Sequence, residues 1–72
     1  MEEKVKEIFE EIFDMEIDIE FNKFSTDKWD SFMHLDLLVS LEKELGVSFT
    51  PDEIGKIESF KDVVEVLNEK IK

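Results

Sequence analysis

The residues with the clearest chemical potential in this 72-residue chain are the pair Asp30-Ser31. They stand directly before an apolar run of helical period, so Ser31 falls at a helix N-terminus after a long loop. The free amides and positive dipole end there favour a phosphate ester on its hydroxyl. Asp30 can cap the helix or help a partner enzyme bind a metal. The plainer reading of Asp-Ser before an apolar run is an ordinary cap. His34 is the one histidine and there is no Cys, so a zinc site would need several carboxylates. His34 therefore reads as a polar residue near the top of the same helix. No dense cluster of Ser, His and Gly surrounds any hydroxyl, so the chain is expected not to be an enzyme. Asp14, Glu16, Asp18 and Glu20 alternate somewhat like a calcium loop. Ile19 and Ser25 stand where that loop needs Gly and Glu, so no metal site is expected.

The chain around these residues is short and acidic. Nine Lys face 20 Asp and Glu, a formal net charge of −11. Such a surface repels phosphate backbones, so nucleic-acid binding is not expected. Without Cys no disulfide can staple the fold, and an apolar core must hold it. Apolar residues make up 42% of the chain, including seven Phe, which makes that core feasible and excludes a disordered acidic tail. The longest apolar run, Leu37-Leu38-Val39, is far too short for a membrane span, so no membrane insertion is expected. Met1-Glu2-Glu3-Lys4 is not a signal-peptide start. These features predict one cytoplasmic domain over residues 1–72, with the charge favouring a monomer.

Four segments read as helices. Val5, Ile8, Phe9, Ile12 and Phe13 make one apolar stripe. From Asp14 to Phe21 the period changes to two, which alone would suggest a strand. With no second strand-like run to pair with, the stretch reads as an extended loop. It should lay Ile17, Ile19 and Phe21 over a helical core. Residues 22–29 continue it, with Phe24 and Trp29 as anchors. The second helix runs from Asp30 or Ser31 to Leu45, with His34, Leu37, Leu38, Leu41 and Leu45 on one face and Gly46 as its stop. Thr50-Pro51-Asp52-Glu53 is a capping-box start, with Phe49 and Ile54 at the staple positions. Gly55 makes that third helix short. Ser59 caps the last helix, whose stripe is Val63, Val64, Leu67 and Ile71. The expected fold is all-α: a small four-helix bundle of three longer helices and one short one, with a long ordered first loop.

The stretch Asp30-Ser31-Phe32-Met33-His34-Leu35-Asp36-Leu37-Leu38-Val39 through Gly46-Val47 resembles the prosthetic-group region of acyl carrier proteins. Leu41-Glu42-Lys43-Glu44-Leu45, the Phe49-to-Ile54 helix start and the final helix keep that family's order and spacing, so the resemblance spans nearly the whole chain. It implies that Ser31 receives 4′-phosphopantetheine from coenzyme A through a separate phosphopantetheinyl transferase. It further implies that the arm's thiol carries acyl groups as thioesters to loading and processing enzymes. Asp30 and Phe32 would complete the attachment motif read by the transferase. An aminoacyl or peptidyl carrier of the same fold is a close alternative, and an acidic interaction module (a nucleic-acid mimic or adaptor) is the rival from another class. Phe32 replaces the family's usual Leu, Lys28-Trp29 replaces a Gly-containing turn, and Lys43 interrupts the acids of the second helix. Trp-Asp-Ser looks more like freestanding carriers of specialised pathways.

Charge is unevenly placed. Residues 1–22 hold two Lys and nine acids, net −7, whereas residues 31–45 hold one Lys and three acids, net −2. Docking should therefore lean on apolar contact. Trp29, Phe32, Leu35, Asp36, Val39 and Glu42 are the expected partner-docking surface. A domain of this size has roughly 5 kcal/mol of net stability, and clustered acids lower it. Such marginal stability would help the helices part around an acyl chain. Added salt or millimolar magnesium should raise the melting temperature, because screening weakens the repulsion. A melting temperature indifferent to both would show the acids to be well spaced or already paired.

Overall fold

The computed structural model describes residues 2–71, with Ile71 by its backbone alone, so the place of Ile71 in the last apolar stripe lies outside the described side chains. Four helices form and, among the described residues, no strand: α1 Glu2–Phe13, α2 Ser31–Leu45, α3 Pro51–Lys56 and α4 Phe60–Ile71. This is a small all-α bundle. Helix α1 packs against both α2 and α4. Val5, Ile8, Phe9 and Phe13 bury the α1 stripe, Leu37, Leu38 and Leu41 bury that of α2, and Phe60, Val63 and Leu67 that of α4.

Local chemistry sets the helix ends. Asp14 takes a left-handed conformation (φ 54°) and donates its N–H to the Glu10 carbonyl, closing α1. Asp tolerates that conformation better than most residues, so no Gly is needed here. Gly46 ends α2 with φ 66° and an N–H bond to the Glu42 carbonyl. Helix α3 starts with a complete capping box: Glu53 N–H donates to the Thr50 hydroxyl, and Thr50 N–H donates to Glu53 Oε1. Ser59 Oγ accepts from Asp62 N–H at the start of α4.

The first loop, Asp14 to Asp30, is ordered and sits on the core. Ile17, Phe21 and Trp29 are buried. Its backbone pairs with the α3–α4 connection, through Lys23 N–H to Glu58 O and Phe60 N–H to Phe21 O. Lys28 Nζ donates to the Phe13 carbonyl at 3.0 Å, tying the end of the loop to the C-terminus of α1. Two expectations fail in this loop. Ile19 is exposed, because the chain turns there: Glu20 N–H donates to Asp18 Oδ1 and Phe21 N–H to Asp18 O. Period two keeps residues on one face only while the chain stays extended. Phe24 is no anchor either. It is 83% exposed, with the Lys23 ammonium 5.4 Å from its ring centre.

Helix α3 buries no residue fully. An isolated helix of six residues is not stable in water, so its neighbours must hold it. Phe49 N–H, just before α3, donates to Glu42 Oε2 at 2.8 Å. From α4, Lys70 Nζ meets Glu53 Oε1 at 2.7 Å. Lys70, and then the Thr50 amide, hold the Glu53 carboxyl below its ordinary value of 4.5. A depressed carboxylate stabilises the fold fully above its unfolded pKa, about 4.3, and that contribution fades as pH falls through the folded value. Glu53→Gln should therefore melt below the natural protein at neutral pH, and the gap should shrink as pH falls below the ordinary carboxylate range. Melting curves across that range test this, and a gap constant with pH would leave the pair without a role in stability.

Candidate functional site

Ser31 is the first residue of α2, and it is exposed. Asp30, immediately before it, is the N-cap. Its extended backbone (φ −102°, ψ −174°) lets Oδ1 accept from Met33 N–H at 2.9 Å, and its carbonyl accepts from His34 N–H. Helix geometry leaves the amides of the first turn without carbonyl partners. The Asp30 cap takes that of Met33, so those of Ser31 and Phe32 remain at the end where Ser31 stands.

Beside Ser31 lies a groove of about 490 Å³ between the end of the first loop, α2 and α3. Trp29, Leu35, Ile54 and Ile57 supply its apolar lining, and Lys23 and Glu58 pair across one rim at 2.8 Å. His34 also lines it. Trp29 Nε1 donates to His34 Nδ1 at 3.0 Å, and His34 Nε2 lies 2.9 Å from the Ile54 carbonyl. The tautomer with its proton on Nε2 satisfies both contacts. His34 is thus a connector between the loop, α2 and α3, more than a polar residue at the top of a helix. A sequence signal for this was present. His34 shares the inner face of α2 with Leu37, Leu38 and Leu41, and a polar group on an inward face needs partners.

The expected docking residues divide. Phe32 (76% exposed), Leu35 and Val39 lie open on α2, and Asp36 is exposed on the same face. Their spacing of i, i+3, i+4 and i+7 makes one continuous stripe. Trp29 does not belong to it. It is 7% exposed and contacts Phe9, Phe13 and Phe21, so it is core. The apolar area of an indole outweighs the exposure suggested by its place next to Ser31. Glu42 is half-buried, and one of its carboxylate oxygens is engaged by the Phe49 amide, so it serves the fold first. Among the described residues no three His, Cys, Asp or Glu side chains converge on a metal-sized site.

His34→Ala leaves the buried Trp29 N–H and the Ile54 carbonyl without their partner. It should cost about 1–3 kcal/mol, read by urea unfolding through the emission of Trp29, the one tryptophan. A loss below about 0.5 kcal/mol, the range of ordinary surface changes, would show the bridge to be incidental.

No protein-family model, curated protein or solved structure matches this chain, so the residues and geometry of the site must carry any conclusion about it.

Proposed function

We propose that this protein is an acyl carrier, with Ser31 as the attachment point for 4′-phosphopantetheine. The observation that carries the reading is an exposed serine at the first position of α2, behind an Asp cap and next to a largely apolar groove. The resemblance of the surrounding sequence to acyl carrier proteins supports it. An ordinary cap accounts for Asp30 alone. It gives no reason for the exposed hydroxyl and the groove to lie together.

The residues present fit the group. The Ser31 hydroxyl is open to a transferase. Its oxygen would attack the pyrophosphate of coenzyme A at the phosphorus bonded to the pantetheine half. The bond to 3′,5′-adenosine diphosphate breaks, that nucleotide leaves, and the hydroxyl proton passes to a base of the transferase. The amides of Ser31 and Phe32 and the helix dipole would favour the resulting phosphodiester anion. Trp29, Leu35, Ile54 and Ile57 would face the apolar part of the arm. When bound, the arm supplies the thiol this Cys-free chain lacks, to hold an acyl group as a thioester. The exposed stripe of Phe32, Leu35, Asp36 and Val39 would meet partner enzymes beside the attachment point. No residue of the chain is assigned a catalytic role.

The test is intact mass after incubation with coenzyme A, magnesium and a broad-specificity phosphopantetheinyl transferase, with Ser31→Ala alongside. The expected result is one added phosphopantetheine on the natural chain and none on the variant. Folded protein that stays unmodified with both a broad-specificity and a cognate transferase would overturn the reading and leave an acidic adaptor.

A further inference from the structure

The groove beside Ser31 has a closed floor. Trp29, His34 and the Ile54 carbonyl form a hydrogen-bonded bridge from the first loop, through α2, to the backbone of α3. The Trp29 and His34 rings lie 28° from parallel, with centres 6.1 Å apart. Behind the bridge, Phe21 stacks on Trp29 at 18°, and Phe9 and Phe13 meet it at steeper angles. Phe9 in turn meets Phe60 edge-on at 5.2 Å. All of these Phe and Trp rings are buried. The way from Ser31 to the core therefore crosses first a polar bridge and then a filled aromatic layer.

Parting α2 from α3 around an alkyl chain would separate His34 from Ile54 and open the bridge. The His34 Nε2–H and the Ile54 carbonyl would then face hydrocarbon, which cannot replace their hydrogen bond. The aromatic layer would also have to give way, and close-packed interiors yield little without loss of contact. The groove above the floor needs no such opening to hold a small group.

We infer that the Trp29–His34–Ile54 bridge determines cargo size: it keeps whatever Ser31 carries in the surface groove and bars long alkyl chains from the core. Given the carrier reading, on which the word cargo rests, the site takes short or polar acyl groups, aminoacyl groups among them. This reverses the sequence-based expectation that the helices part around an acyl chain.

The chain has no cysteine, so Ser31→Cys places one thiol at the site and needs no transferase. Its thiolate displaces methanesulfinate from methyl or decyl methanethiosulfonate, forming a mixed disulfide that carries either a methyl or a decyl group. With His34 in place, the two conjugates should melt within about 1 °C of each other, because a chain left on the surface adds little buried area. With His34→Ala added, the decyl conjugate should melt several degrees above the methyl one. Should that variant not fold, His34→Leu removes both hydrogen bonds of the bridge, keeps apolar packing and serves in its place. A decyl conjugate that melts roughly 5 °C or more above the methyl one with His34 present overturns the inference. Equal melting in the opened variant as well removes the bridge from the role. The carrier reading fails separately, by the absence of transferase labelling, and the floor is measured whether or not it does.

Discussion

Burial of the Trp29 indole is the constraint on which the Ser31 end of the molecule depends. An indole can be buried cheaply only if its N–H finds a partner. His34 Nδ1 is that partner, which fixes the proton on Nε2 and directs it at the Ile54 carbonyl. A demand that begins in the loop thus ends as a tether on α3. That helix has little apolar surface of its own in the core and depends on such tethers. Because Trp29 immediately precedes Asp30, anchoring the indole also sets where α2 begins. The placement of Ser31 is therefore a consequence of core packing several residues wide, with the Asp30 cap as its last step.

The same indole explains how a chain without cysteine orders a long first loop. Helix α1 supplies Phe9 and Phe13, the loop supplies Phe21 and Trp29, and α4 supplies Phe60. Aromatic pairs of this kind contribute about 0.5–1.5 kcal/mol each beyond simple burial, and here they join three parts of the chain that are distant in sequence. Loop backbone cannot be left unpaired against a core. The Phe21–Lys23 stretch meets that need by pairing with Glu58 and Phe60, and Lys28 meets it for the last turn of α1. Lys28 and Trp29 are thus both structural residues.

The helices were legible because their stripes and caps are local: Thr50-x-x-Glu53 and Gly46 act through neighbours a few residues away. The loop was legible only in part. Alternation in Ile17, Ile19 and Phe21 is blind to the Asp18 turn that sends Ile19 outward. Phe24 and Trp29 are both large aromatics in one loop, and nothing in composition separates the exposed one from the buried one. Their fates follow from partners: Phe9, Phe13 and His34 bury Trp29, whereas Phe24 lies exposed beside the Lys23 ammonium. At the site, the Asp30 cap and the exposed stripe from Phe32 to Val39 were readable from helical register. The groove was not, since it needs Ile54 and Ile57 brought against α2 by tertiary contacts.

Charge and apolar surface are divided in this molecule in a way that bears on how a partner would meet Ser31. Acids Glu7, Glu10, Glu11 and Asp14 of the α1 side share a surface hollow with Glu44 from α2, where Lys4 is the cation among them. The exposed stripe of α2 carries Phe32, Leu35 and Val39 with Asp36 as its one acid. Exposed charge acts over about 8–10 Å at physiological salt and mainly sets the rate of encounter, whereas buried contact sets how long a complex lasts. On the proposed carrier reading, which requires release from each partner, separating the two would be useful. The −11 charge would draw in a basic enzyme quickly, while a small apolar stripe would keep the complex brief. Salt would then pull in opposite directions on one molecule: it would steady the fold by screening α1, and slow the encounter by screening that same field.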